Sequence, residues 1–154
     1  MPVDAVTAAL QEYADRGVFR GFRATPGPRG RIEYQFTWLF RRPMRAVFDP
    51  RRGVLTFAAL FPSAGTSKDM SRGLKSLVGS RAKKDQPAHK RIDARRARVT
   101  SAIRKGDLSL SIQIRGENHD YAVRRVLNLI NELFLSLHDE YPDYLIERFG
   151  LSTE

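Results

Sequence analysis

The chain has 154 residues, no cysteine and 42% hydrophobic residues. That length suits one domain with a core large enough to fold without cross-links, and the lack of cysteine excludes disulfides and thiol catalysis. The net charge of +10 is uneven: residues 1–15 carry −3, residues 117–154 carry −5, and residues 16–116 hold 24 bases against six acids, +18. A field of that sign draws polyanions or acidic proteins.

Met1-Pro2-Val3-Asp4 has neither the basic start nor the apolar stretch of a signal peptide. No apolar run approaches the ~20 residues of a membrane helix. A cytoplasmic protein with no membrane contact is the expectation.

In chain order, Val6, Ala9, Leu10, Tyr13 and Ala14 follow helical spacing after Pro2, and Gly17 ends that helix. Residues 18–25 read as a first strand, closed by Thr25-Pro26-Gly27-Pro28. Over residues 31–40, Ile32, Tyr34, Phe36, Trp38 and Phe40 alternate with Arg31, Glu33, Gln35, Thr37 and Leu39. A period of two with one aromatic face is a β-strand. Residues 44–48 and 54–61 read as two further strands, and Asp49-Pro50-Arg51-Arg52-Gly53 has turn chemistry between them.

Thr66 or Ser67 is placed to cap a helix carrying Met70, Leu74, Leu77 and Val78, with Gly79 as its stop. Residues 80–93, polar and basic with Pro87, read as a long mobile loop. A hairpin follows. Ala97, Val99 and Ile103 alternate with Arg96, Arg98 and Arg104, and after Lys105-Gly106, Leu108, Leu110, Ile112 and Ile114 alternate with Ser109, Ser111, Gln113 and Arg115. The Ala and Arg content of residues 92–104 also permits a helix, but the turn and the alternation after it favour the strand.

The last element is a helix from Asn118 or Asp120 to about Tyr141. At 100° per residue, Ala122, Val123, Val126, Leu127, Leu129, Ile130, Leu133, Phe134 and Leu137 share one stripe roughly 160° wide, and Leu135 lies opposite. Tyr141-Pro142 breaks it before a short helix that ends at Gly150. The predicted fold is α+β: one antiparallel sheet in the order α-β-β-β(β)-α-β-β-α, helices mainly on one face, and a long C-terminal helix. Surplus width of the stripe points to Val126, Leu129, Ile130, Leu133, Leu135 and Leu137 as a dimer or partner surface. Full burial within one subunit is the simpler use.

Catalytic patterns are missing. His89, His119 and His138 have no evident nucleophile or carboxylate partner, and no zinc-like ligand spacing occurs. No phosphate-binding loop, dinucleotide fingerprint or nucleophile elbow is found. The expectation is therefore a non-enzyme without metal or cofactor. Residues 63–68 resemble an anion-binding helix entry, and more simply a helix-entry loop.

Two basic clusters stand out. One is Arg41, Arg42, Arg45, Arg51 and Arg52; the other is Arg81, Lys83, Lys84, Lys90, Arg91, Arg95, Arg96 and Arg98. Either suits a polyanion or an acidic partner. The aromatic ladder of Tyr34, Phe36 and Trp38 invites a base-stacking reading, but fits a core face better.

The element order, carried by residues 32–40, 44–61, 108–114 and 121–137, resembles the type III secretion-chaperone-like fold and, within it, the YbjN-like proteins. The resemblance implies a non-catalytic, homodimeric module that binds other proteins or acts in regulation. Secretion chaperones are typically acidic and this chain is basic, so the implied partner is acidic or handles nucleic acid. Direct, weakly sequence-specific nucleic-acid binding is the alternative.

Overall fold

The computed structural model describes residues 2–39 and 42–150. Helix α1 (Pro2–Asp15) leads into β1 (Arg20–Pro26), β2 (Ile32–Trp38), β3 (Arg42–Asp49) and β4 (Val54–Phe61). Helix α2 (Lys68–Ser80), the hairpin β5 (Ala97–Arg104) and β6 (Asp107–Ile114), α3 (His119–Glu140) and α4 (Pro142–Phe149) complete the order. The strands form one sheet, β1-β2-β3-β4-β6-β5, antiparallel at every step. This is the predicted α+β class. Phe40, placed at the end of β2 by its alternation, lies outside the described residues.

Register explains the core. Phe48 pairs with Leu55, Leu55 with Ile112, and Phe57 with both Ala46 and Leu110, so these side chains share one face and all are buried. Tyr34 and Phe36 join them from β2. The aromatic ladder is thus the inner face of its strand and not a stacking platform. Tyr34 Oη shares a 2.7 Å hydrogen bond with Thr7 Oγ1 of α1, which gives the buried phenol a partner.

Helix α3 fills this layer. Val126, Leu129, Ile130, Leu133 and Leu137 are each no more than 1% exposed, while Leu135 is 48% exposed. The stripe expected to offer a dimer surface is consumed inside the subunit. Its width is needed because α3 meets the sheet, α1, α2 and α4 together.

Two turns close as their chemistry requires. Lys105 and Gly106 take φ of +53° and +82° to join β5 to β6, the left-handed pair of a two-residue hairpin. Gly65 donates to Gly106 O at 2.9 Å, and a Cβ there would stand 2.7 Å from Ile103 Cγ2. Ser67, one of the two expected caps, accepts from Met70 N at 3.2 Å to start α2.

The connector between α2 and β5 is a loop, as expected, and its later part is held to the rest of the fold. Ile92 is buried and donates its N–H to Arg81 O at 2.8 Å. Tyr121 Oη accepts from Asp93 N at 2.9 Å and donates to Arg91 O at 3.1 Å. Arg125 donates to Arg91 O and Ala88 O. Polar residues of α3 therefore pin this segment, a role that composition does not reveal.

His119 opens α3 almost buried, its ring edge-on to Phe48 at 6.3 Å. Burial, partly opposed by the charge of Glu117, holds its imidazole below the ordinary 6.5. The unfolded chain takes up that proton more readily, so stability falls as pH drops through 6.5 and levels off below the folded value. His119→Gln, neutral at every pH, should remove that loss when urea midpoints are compared at neutral and mildly acidic pH. An unchanged pH dependence would contradict this assignment.

Candidate functional site

Alternation sends every second residue of each strand to the sheet's other face. That face carries Arg23 of β1; Glu33, Gln35 and Thr37 of β2; Pro43, Arg45, Val47 and Asp49 of β3; Val54, Thr56 and Ala58 of β4; Ser109, Ser111 and Gln113 of β6; and Arg98, Thr100, Ala102 and Arg104 of β5. Antiparallel sheets often leave one face to solvent. What distinguishes this one is its pattern: small and hydroxyl side chains form the floor, arginines form the rim, and register places no aromatic ring on it.

Two hollows make a trough across the face, meeting at Ala58. The first, about 480 Å³, is rimmed by Arg31, Arg52, Arg98 and Arg104 over a floor that includes Thr56, Thr100 and Ser111. Thr56 Oγ1 and Ser111 Oγ share a hydrogen bond of 3.0 Å, so the floor is internally satisfied. The second, about 490 Å³, lies where Arg23, Gln35, Arg42 and Arg45 approach the end of β4.

Carboxylates on this face are already engaged. Glu33 takes Arg45 Nε at 2.8 Å and Nη2 at 3.2 Å, and that hydrogen bonding, aided by Gln35, holds its carboxyl below the usual range. Asp49 lies 3.4 Å from Arg31 Nε and accepts the N–H groups of Arg51 and Arg52 in the β3–β4 turn. Asp107, at the hairpin end, accepts from Ser63 N. Arg52, Arg98 and Arg104 have no carboxylate partner among the described residues. Guanidinium forks in that state suit phosphate oxygens or carboxylates of a ligand.

The two sequence clusters do not survive as units. From the first, Arg45 and Arg52 reach the trough, Arg51 is exposed at the turn beside it, and Arg42 lines the second hollow while stacking 5.0 Å over Phe149. Arg41 lies outside the described residues. From the second, only Arg98 reaches the trough.

Arg81, expected on a binding surface, is 4% exposed; it donates to Gln86 and lies 4.0 Å from Glu132, which Lys90 approaches at 3.0 Å. Arg96 stacks 3.6 Å over Tyr121. Arg95 pairs with Asp93 and, through its side chain and then its N–H, holds that carboxyl at about 2. Arg91 is half-buried, and Lys83 and Lys84 are exposed. Of these seven, Arg81, Lys90 and Arg96 fasten the connector to α3 and Arg95 is taken up by Asp93; none of the seven lines the trough.

Arg23, Arg31 and Arg104 are the site residues that cluster counting misses. The signal for Arg104 was present, since it shares parity with Arg98 along β5. Arg31 shares parity with Glu33, Gln35 and Thr37, which puts it on the same face.

The helix entry at residues 63–68 makes no anion site. Glu140, Asp143 and Glu147, with Arg148 as the single base, line the hollow of about 300 Å³ in front of it, and the net negative charge opposes an anion. Among the described residues, no cluster of three or more His, Asp or Glu side chains is placed to hold a metal ion, and no helix is long and apolar enough to cross a membrane.

No known protein family matches the chain, and no curated protein and no solved structure matches it. The trough itself is therefore the guide to function.

Proposed function

We propose that this chain is a non-enzymatic nucleic-acid-binding module that grips phosphates on the uncovered face of its sheet. The observation that carries the reading is the arginine rim of Arg31, Arg52, Arg98 and Arg104, in which the one lining carboxylate, Asp49, is already neutralised. Arginine forks fit phosphate oxygens two at a time, and each neutralised phosphate releases condensed counterions. Contact is made to the backbone, so sequence preference is weak.

The alternative of a partner held by apolar contact has less support. Val18 and Leu135 are the only large hydrophobic side chains exposed among the described residues, and stable protein interfaces usually have an apolar centre. A cytoplasmic, homodimeric adaptor of the YbjN-like type remains the second reading. The element order favours it, and an acidic segment of a partner protein would meet the same arginines.

Fluorescence anisotropy with single-stranded and duplex DNA and RNA across a salt series, with light scattering for mass, separates the two. Binding that weakens steeply with salt is the expected result. No binding at moderate salt, together with capture of a poly-glutamate peptide by a dimer, would overturn it in favour of the adaptor.

A further inference from the structure

The ladder between β3 and β4 is short. It runs from Asp49↔Val54 to Ala46↔Phe57 and stops, although β3 reaches back to Arg42 and β4 runs on to Phe61. Past the last pair the strands part, and residues 43–45 and 58–60 line the second hollow of the trough as a cleft of about 490 Å³. Pro43 has no N–H to offer a neighbouring strand. Ala59 has a φ of +49° and gives its N–H to Ser109 Oγ at 3.0 Å. The register of β4 with β6 also slips here, between Phe57 and Phe61. Left-handed backbone at a residue with a Cβ is strained, and such strain concentrates at ligand sites.

The cleft has a consistent chemistry. Pro43 and Ala58 give it apolar walls, and Phe36, Met44, Phe57 and Leu60, none more than 8% exposed, close it toward the buried layer. Gln35 adds an amide, and main-chain groups of residues 43–45 and 58–60 lie outside the β3–β4 ladder. Arg23, Arg42 and Arg45 stand around it. A ligand matching this is flat, apolar on its faces, hydrogen-bonding at its edges and joined to an anion. Through Ala58, which is exposed and lines both hollows, the cleft continues into the arginine and hydroxyl half.

We infer that the cleft between β3 and β4 receives an unpaired nucleobase of a strand whose phosphates run along Arg52, Arg98 and Arg104, so the protein prefers single strands to duplex. This rests on the nucleic-acid reading above. A duplex keeps its bases paired and stacked and presents phosphates alone, so it engages only the arginine half.

The test uses the full chain and fluorescence anisotropy at about 0.15 M salt. Three probes of about 12 nucleotides are compared: a single strand, the same strand in duplex, and a fully abasic strand with an intact sugar–phosphate backbone, each made as DNA and as RNA. The single strand should bind about tenfold more tightly than the other two, as one buried, hydrogen-bonded base warrants. Ala58→Trp, which fills the junction from an exposed position, should bring the single strand down to the abasic level. Equal binding of intact and abasic strands, or duplex binding as tight as single-strand binding, overturns the inference while leaving phosphate capture standing. Failure of all three probes to bind overturns both. The abasic comparison needs no substitution, so it decides the matter even where Ala58→Trp disturbs folding.

Discussion

Replacing Arg52, Arg98 and Arg104 together with alanine is expected to weaken binding of a single-stranded oligonucleotide by about 50-fold at ~0.15 M salt, and to take roughly two units from the slope of log affinity against log salt. Each phosphate contact on a single strand contributes about 0.7 to that slope, and three lost contacts give both figures. The three residues come from the β3–β4 turn and the edge strand β5, and line one hollow. All are exposed, so their removal should leave the fold intact, as thermal denaturation would verify. Arg31 is left in place because it neutralises Asp49; its loss would add a repulsive charge and blur the result. Lys83→Ala with Lys84→Ala, on the connector and outside the trough, should change affinity little. An equal loss from the lysine pair would move the interface to the connector.

The second large effect concerns stability. Leu133→Ala should cost about 2–5 kcal/mol, the usual penalty for emptying a buried leucine site, whereas Leu135→Ala, on the opposite face of the helix, should change stability by less than about 0.5 kcal/mol. Leu133 is 0% exposed and Leu135 48% exposed. Were the α3 stripe a dimer surface, Leu133→Ala would lower the mass in light scattering and leave the unfolding midpoint of the separated subunit nearly unchanged. Urea unfolding of both variants, monitored with mass, distinguishes the two cases.

These expectations show where the sequence was legible. The alternation of residues 31–40 marks β2 because its inner face is aromatic and its outer face polar. The α3 stripe is readable for the same reason, and the Lys105-Gly106 turn fixes the hairpin locally. Where the helices sit also follows, because only one face of each strand is apolar. The site was harder. Arg31, Arg52, Arg98 and Arg104 meet only because β6 inserts between β4 and β5, putting the last hairpin beside the first four strands. No local pattern announces that pairing. Counting charges along the chain instead selects Arg81, Lys90, Arg95 and Arg96, whose cations are taken up by Glu132, Asp93 and the ring of Tyr121. Density of charge in sequence is a poor guide to charge left free for a ligand, since the partners that neutralise it come from distant segments. The cleft between β3 and β4 was invisible for a related reason. A ladder that stops short leaves the alternation of both strands intact.

The proposed function puts nucleic-acid binding on the uncovered face of the sheet. Backbone amide NMR on the full chain, titrated with a short single-stranded oligonucleotide, tests it most directly. The expected result is shifts at Thr56, Arg98, Thr100 and Ser111 on the trough, and at Arg45 and Ala58 beside the cleft, with residues 83–95 and α4 nearly still. Shifts confined to residues 83–95 or to α4, with the sheet face unmoved, would contradict the account.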